Sequence, residues 1–412
     1  MKFHVKNLTA VALCFGLASV GGAQNAPATP PADQAAAAPA APAAPAPLPS
    51  PSISGPLSNL PPAIFDAGPF GKIAVNGFLS GIGMAQTNHI PGDDDTQAAL
   101  SNGQVFIQKT DGWFQFYVQA GAYNLLSLGF PFLATDKNIS YLYGPVPVGF
   151  VKLQAGKNTS IQIGQLPTLI GDEYTFSFEN MNIERGLLWN QETAISRGIQ
   201  VNQTMGKFSA SLSWNDGFYS NRYNWLSGNL MYTNGAHMIM FVAGGNLGTT
   251  GYSTTATPLA QNNGAIYNVI YGFTKGPWII QPYWQYTDVP TNAKIGITKG
   301  ASTNGFGLLA SHAFKHGFAL PARFEYISSS GKASEDAVNL MYGPGSKAVS
   351  FTVTPTFQYG GFFFRGDLAW VHVNDFAPGA VFGPLGNKDN QFRAVGEIGF
   401  VFGNNISPEK KP

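Results

Sequence analysis

The residues that could do chemistry in this sequence are charged side chains gathered in one segment and at three later places. The segment from Pro167 to Ala194 carries five acids and one arginine: Asp172, Glu173, Glu179, Glu184, Arg185 and Glu192. Farther along, an arginine and an acid share one face of an alternating pattern three times: Arg323 with Glu325, Arg365 with Asp367, and Arg393 with Glu397. Acids opposite bases across a water-filled passage produce a transverse field that orders water and screens solutes. Two other interpretations stay open, in which the charges form salt bridges that brace a wall or the segment is an external loop.

Other candidate sites are weak. Asp93, Asp94 and Asp95 lack the spacing of a calcium loop and are interpreted as a solvated acidic loop. The histidines after residue 23 are scattered, with no pair at metal-ligand spacing on one strand face. Ser311 and His312 are neighbours in a predicted strand, so they point in opposite directions and cannot act as nucleophile and base. We therefore expect no enzymatic activity, no metal and no cofactor.

The composition excludes several classes of protein. The chain has 412 residues, of which 11% are charged, 13% aromatic and 44% hydrophobic, with 49 glycines and one cysteine. A formal net charge of +1 makes nucleic acid an unexpected partner. A single cysteine rules out a disulfide framework. Charge this scarce, in a chain without long apolar stretches, favours an all-β protein, either soluble or embedded in a membrane.

Alternation of apolar and polar residues with period two predicts the strands. In one example, Val349, Phe351 and Val353 point one way, while Ser350 and Thr352 point the other. The same reading places about sixteen strands at 72–86, 103–110, 112–123, 146–155, 158–166, 195–205, 206–216, 226–234, 235–246, 264–275, 277–288, 302–314, 318–329, 347–359, 361–374 and 391–402.

The connections between these strands decide the fold class. Every second connection is a tight turn containing glycine or asparagine, as at Asn234-Gly235 and Gly360-Gly361, and the others are long. Short turns at one end, long loops at the other and an even number of strands are typical of bacterial outer-membrane barrels. We therefore predict a transmembrane antiparallel β-barrel of about 16 strands with short periplasmic turns and long extracellular loops. Its location would be the cell outer membrane, in contact with lipid and lipopolysaccharide.

The two ends of the chain differ from this barrel. Residues 1–23 carry Lys2 and Lys6 before a short apolar run, which is typical of a signal peptide cleaved between Ala23 and Gln24. Residues 24–62 are rich in alanine and proline, which predicts an extended periplasmic spacer. Residues 63–402 would form the barrel, and residues 403–412 a polar C-terminal tail.

The segment 158–217 resembles a known family. It contains SIQIGQLPTLIGDE up to Glu173, NIERGLLW from Asn182, GIQVN from Gly198, and SLSWNDG up to Gly217. This stretch is similar to the OmpL-like β-barrel porins of bacterial outer membranes. The resemblance implies a pore-forming barrel and does not supply a transported solute. The alternating strands, the alternating loop lengths and the third long loop predict a porin through which small hydrophilic solutes diffuse passively, narrowed by that loop. By analogy with porins we expect a homotrimer. The alternative is a non-conducting barrel, plugged by that loop and attached to the cell wall through the spacer.

Overall fold

The computed structural model describes residues 55–404. The predicted signal peptide, its cleavage site at Ala23 and Gln24, most of the Ala/Pro spacer and the tail after Asn404 lie outside the described residues. The chain between these limits is almost entirely β-sheet, with two short helices and a few single 3-10 turns.

The strands alternate with turns and loops along the whole described chain. Two short helices, α1 (Thr135–Tyr141) and α2 (Leu259–Asn262), lie in loops. The strands are β1 Ala63–Asp66, β2 Lys72–Gln86, β3 Thr96–Lys109, β4 Phe114–Tyr123, β5 Val148–Gln154, β6 Thr159–Pro167, β7 Ile195–Met205, β8 Phe208–Asn215, β9 Trp225–Asn234, β10 His237–Asn246, β11 Ala265–Lys275, β12 Trp278–Val289, β13 Ala301–Ala313, β14 Phe318–Ser329, β15 Lys347–Val353, β16 Thr356–Tyr359, β17 Phe362–Asn374 and β18 Asn390–Phe402.

These strands close into one antiparallel barrel. Each pairs with the next along the chain, and β18 pairs back onto β2 from Arg393↔Gln86 to Phe402↔Gly77. β15 and β16 are two parts of one wall strand, because both pair with β14 on one side and β17 on the other. The break falls at Thr354-Pro355, and proline has no N–H to donate to a sheet ladder. The wall therefore has sixteen strands, which confirms the predicted fold class.

β1 lies at the seam of the barrel. It pairs with the first residues of β2, from Ala63↔Val75 to Asp66↔Lys72, beyond the end of the β18 pairing. It continues the line of the last strand and covers backbone groups of β2 that β18 does not reach.

The strand bounds follow the sequence prediction closely, with one clear difference. The predicted 72–86, 195–205 and 318–329 are the observed β2, β7 and β14. β3 begins at Thr96, seven residues before its predicted start. The register of β3 against β2 shifts between Ser80 and Gly81, and this irregularity interrupts the alternation on which the prediction rested.

Connection lengths alternate as predicted. Four connections are two-residue turns, and each begins with a glycine at positive φ, the conformation that tight hairpins require: Gly206, Gly235, Gly276 and Gly360. All the short turns lie at one end of the barrel, called here the short-turn end. The opposite, long-loop end carries the connections 87–95, 124–147, 168–194, 216–224, 247–264, 290–300, 330–346 and 375–389.

The two faces of the wall differ in chemistry. Large apolar side chains that point outward are exposed, among them Leu79, Phe351 and Leu368. The hydrophobic core lies inside the barrel, where Phe78 and Phe106 pack against Phe178 of the third long loop. Phe363 packs against Phe78 in the same cluster. Among the described residues, no helix has the length and apolarity needed to cross a membrane.

Residues 55–62, the end of the predicted spacer, lie across the short-turn end. A Cβ placed on Gly55 would be 3.4 Å from Ile279 Cδ1 of β12. The Ser58 N–H donates to Gln358 Oε1 of β16 (2.7 Å), and Gln358 Nε2 donates back to the Ser58 carbonyl (2.8 Å). Leu57 is buried in the same interior cluster as Phe78. This segment, called the strap below, therefore crosses the barrel mouth from β12 toward β2.

Candidate functional site

The third long loop, residues 168–194, folds into the barrel. Phe176, Phe178 and Ile183 are each 1% exposed, although the loop has no regular structure beyond two 3-10 turns. Its backbone and side chains bond to inward-facing residues of β3, β12, β14, β17 and β18. The loop therefore crosses the interior, from β14–β18 and β2–β4 to Asn268 of β11 and Gln285 of β12.

The first anchor of the loop is on β14. The Arg323 guanidinium donates through Nη1 to Glu173 Oε1 (2.6 Å) and to the Glu184 carbonyl (2.7 Å). Glu325, two residues on, accepts the backbone N–H groups of Leu187 (2.9 Å) and Leu188 (3.0 Å). Hydrogen bonds from several N–H groups offset the free-energy cost of removing a carboxylate from water. These contacts fix both the start and the end of the loop's inner turn.

The second anchor joins β17 and β18. Arg365 donates to Glu397 Oε2 through Nε (3.0 Å) and Nη2 (2.5 Å). The same guanidinium donates to the Ser177 and Asn180 carbonyls of the loop. The other oxygen of Glu397 accepts hydrogen bonds from hydroxyl groups on three elements: Ser80, Ser101 and Ser177.

The third anchor brings together Arg393, Asp367 and Glu184. Arg393 Nη1 donates to Glu184 Oε1 (3.1 Å) and to the Ser127 carbonyl (2.9 Å). Asp367 accepts the Glu184 N–H through Oδ2 (2.8 Å). All six predicted wall residues therefore face the interior and lie within 2% of full burial. Every one of the three arginines contacts both an acid and the third loop or a neighbouring loop.

The remaining predicted loop residues are Glu179, Asp172 and Arg185. Glu179 accepts the N–H of Phe176 (3.1 Å), a contact within the loop. Asp172 lies near Gln281 of β12, with Nε2 and Oδ1 3.5 Å apart. Arg185 is fully buried, stacks over Trp189 at 5.1 Å, and none of its guanidinium nitrogens has a hydrogen-bond partner among the described residues. Burial lowers the pKa of Arg185 to about 10, against the opposing effect of Glu173 and Glu184.

Two buried acids of the loop, Asp172 and Glu192, lie close to Glu173. Glu192 is 5% exposed, and neither of its carboxylate oxygens has a hydrogen-bond partner among the described residues. Burial raises its pKa well above the ordinary value, and the nearby charges of Glu173 and Asp172 raise it further. Burial likewise raises the pKa of Asp172 to about 8, with a further contribution from Glu173. These two acids therefore favour the protonated form while the loop is packed.

The short-turn half of the wall formed by β5–β12 was not singled out by the sequence. On β5–β12 the inward side chains nearest the short-turn end are half-buried and mostly neutral: Lys152, Gln154, Gln162, Asn202, Ser209, Ser211, Asn229, Met231, Met238, Met240, Ile279 and Gln281. Nearer the long-loop end the inward side chains of the same strands are buried, such as Leu166, Trp225 and Tyr283. Solvent therefore reaches the short-turn half of this wall. Packed side chains fill the interior at the level of the third loop.

The structure also shows where the weak candidate sites of the sequence lie. Ser311 is buried on the inward face, while the His312 ring lies 4.2 Å from Trp278 on the outward face. Asp93 is buried and accepts from Gln86 and from the Phe132 N–H, so it organises the first long loop. Within residues 55–404 no group of three or more His, Cys, Asp or Glu side chains is arranged to hold a metal.

Comparison with known proteins decides the family. A family model described as "Putative beta-barrel porin-2, OmpL-like" matches residues 72–402, the whole wall from β2 to β18. The chain belongs to this porin family. No curated protein sequence is a significant match.

Solved structures share the fold of this porin-family barrel at low sequence identity. The outer membrane channel DcaP of Acinetobacter baumannii superposes with a TM-score of 0.55 at 12% identity, covering 82% of this chain and 100% of that one. In-vitro folded OmpT of Vibrio cholerae gives 0.54 at 10% identity, covering 81% and 98%. Salmonella typhi OmpF, solved in complex with daunomycin, gives 0.52 at 13% identity, covering 80% and 98%.

Family and fold together place this porin-family barrel in the bacterial outer membrane. Its short turns lie on the periplasmic side, as in other outer-membrane barrels. The long-loop end is then the extracellular one.

Proposed function

We propose that the protein is a porin through which small hydrophilic solutes diffuse passively across the outer membrane. The observation that carries the proposal is the half-buried, mostly uncharged wall at the short-turn half of β5–β12. Its amides and hydroxyls already bond to each other, as where Gln200 Nε2 donates to Asn202 Oδ1 (2.7 Å). Such groups replace part of the water shell of a passing solute without holding it tightly.

The third loop would form the constriction of this path. Its contacts with Arg323, Glu325 and Arg365 support that role, because they hold an irregular segment at one position inside the barrel. In this proposal the wall charges position the loop, and the neutral strands line the passage. In this proposal the loop narrows the passage, and the salt bridges between loop and wall hold the loop in place. No catalytic activity is assigned.

Planar-bilayer recording of the refolded full chain tests the proposal. We expect stable ohmic current steps, and larger steps from a variant in which residues 174–190 are replaced by a short Gly/Ser linker. The linker variant must first show the barrel's circular dichroism and its heat-dependent shift in gel mobility. If both correctly folded proteins conduct nothing, the porin proposal is wrong.

A second candidate, a closed barrel attached to the cell wall through the spacer, is favoured by one observation. The inward side chains of β5–β12 nearest the extracellular end are buried, so packing fills that half of the path. Current from the linker variant alone would support this candidate for the resting protein. Deleting residues 24–54, which spares the strap, should then abolish co-sedimentation with peptidoglycan, whereas a porin without wall attachment would sediment no differently.

We also propose that the barrel assembles as a trimer of this chain. Across the β3–β2–β18–β17 seam the outward positions Ala98, Gly83, Gly396 and Gly366 are directly paired neighbours with small side chains or none. Close approach of small residues is how surfaces associate within lipid, where the hydrophobic effect gives little drive. Mass photometry of the detergent-solubilised protein should show a trimer that Gly396→Leu dissociates, and a monomer in the parent would refute the assembly.

Export by residues 1–23 would be checked by the mass of the mature chain, which should begin at Gln24.

A further inference from the structure

The inward charges of the barrel are distributed unevenly. Six of them lie on β14, β17 and β18, and all contact the loop or each other. The nine strands β5–β13 carry one inward charged residue among the described positions, Lys152 on β5. The face that remains open to solvent therefore differs from the anchored face in charge as well as in packing.

Lys152 is placed where a passing solute would meet it. It is half-buried, pairs in register with Gln115 of β4 and Gln162 of β6, and belongs to the inward set that solvent reaches. It makes no hydrogen bond or ion pair to another side chain among the residues described. Its ammonium group is thus not neutralised by an acid, unlike each of the three wall arginines.

The groups beside Lys152 are uncharged hydrogen-bonding groups. Gln200 Nε2 donates to Gln162 Oε1 (3.2 Å), and Ser211 Oγ donates to Asn202 Oδ1 (2.8 Å). On β5–β8 the amides and hydroxyls of this wall can exchange hydrogen bonds with solute hydroxyls and amides almost evenly. At the same level of β9–β12 most inward side chains are apolar: Met231, Met238, Met240 and Ile279. An ion gains less there, because its lost hydration is replaced only by neutral dipoles.

We propose that the solutes of this porin are small uncharged molecules rich in hydroxyl or amide groups, and that Lys152 sets a weak preference for anions over cations. This inference rests on the proposed porin function. A single charge near the path, at the dielectric of water, favours oppositely charged ions by about fivefold or less. The wall therefore favours uncharged over charged solutes more strongly than it favours anions over cations.

Reversal potentials in a KCl gradient test the role of Lys152. We compare the parent with Lys152→Met and Lys152→Glu, and use Lys157→Glu as control, because Lys157 is exposed in the adjoining β5–β6 turn. The parent should prefer chloride weakly, Lys152→Met should lose the preference, Lys152→Glu should prefer potassium, and the control should behave as the parent. Conducting channels whose reversal potential ignores Lys152→Glu would overturn the inference and leave the porin function intact. Absence of conductance in all four would overturn both.

Swelling of proteoliposomes tests the solute class separately. The probes are a pentose and the pentonate made by oxidising it, which have similar size and differ in charge. The uncharged sugar should enter several times faster in the parent, and Lys152→Glu should slow the pentonate further while leaving the sugar unchanged. Equal or faster entry of the pentonate would contradict the assigned solute class.

Discussion

The Arg323 guanidinium of β14 and the Glu173 carboxylate of the third loop meet at 2.6 Å inside the barrel, 150 residues apart in the chain. Both side chains are at most 1% exposed, so the pair has no contact with bulk water. Removing one member of a buried pair leaves an uncompensated charge and destabilises a protein by about 3–5 kcal/mol. This contact is therefore a suitable place to test whether the loop is held by its charges.

We predict that Arg323→Met lowers the free energy of unfolding by about 3–5 kcal/mol and enlarges the current steps, because Glu173 and Glu325 lose their cation. Adding Glu173→Gln to Arg323→Met should cost less than the sum of the two single changes. Urea unfolding of the protein in lipid, followed by tryptophan fluorescence, measures this cycle. Strictly additive effects would show that the two side chains do not stabilise each other.

Gly186 provides a test that leaves every charge in place. A Cβ at this position would lie 2.1 Å from Glu325 Oε1, so Gly186→Ala should push the loop off its anchor at a cost of about 1–3 kcal/mol. Gly156→Ala, in the exposed β5–β6 turn, is the matched control, because the nearest atom to a Cβ there would be Thr159 Oγ1 at 4.0 Å. Faster proteolysis of the loop in Gly186→Ala alone is the expected result, and equal protection of both variants would count against the anchor.

The buried acids predict that the loop loosens as pH rises. The pKa of Asp172 is raised to about 8 and that of Glu192 is raised as well, so the packed loop keeps protons that a released loop would lose. The packed state is fully favoured below about pH 4, the ordinary carboxyl value, and loses stability until about pH 8. Conductance should therefore increase over this range.

Glu192→Gln is the matched variant for the pH experiment, because it keeps the shape of the side chain and removes one titration. Its conductance should vary less with pH than that of the parent. Asp336→Asn, in the exposed β14–β15 loop, should leave the profile unchanged. A parent profile that falls as pH rises would contradict the proposed coupling.

The strap makes a prediction about the spacer. Leu57 is 3% exposed inside the short-turn mouth, so Leu57→Ala should lower the free energy of unfolding by about 2–5 kcal/mol. Leu385→Ala, at a side chain 77% exposed, is the control and should cost almost nothing. Deleting residues 24–54 should leave stability unchanged, whereas deleting 24–62 should reproduce the Leu57 effect. Equal stability of both deletions would show that the strap does not hold the mouth.

Much of the fold could be read from the sequence because the signals are local. Alternation along each strand and glycine in each tight turn depend only on neighbouring residues, and they located β2, β7 and β14 to the residue. The same alternation put Arg323, Arg365 and Arg393 on the inward face. The start of β3 was mispredicted because the register shift at Ser80/Gly81 depends on how β2 and β3 pair, which neighbouring residues in the sequence do not show.

The sequence by itself determined the strands, their two faces, the alternation of turns and loops, and the collection of acids in one long loop. Only the tertiary structure decided where that loop lies and what each charge meets. Arg393 contacts Glu184 across 209 residues of chain, and Arg365 contacts the Ser177 carbonyl across 188. Such pairs exist only after the sheet has closed, because closure turns one face of every strand toward a shared interior. For the same reason Lys152, an ordinary lysine in the sequence, is the single inward charge on β5–β13 within the described residues.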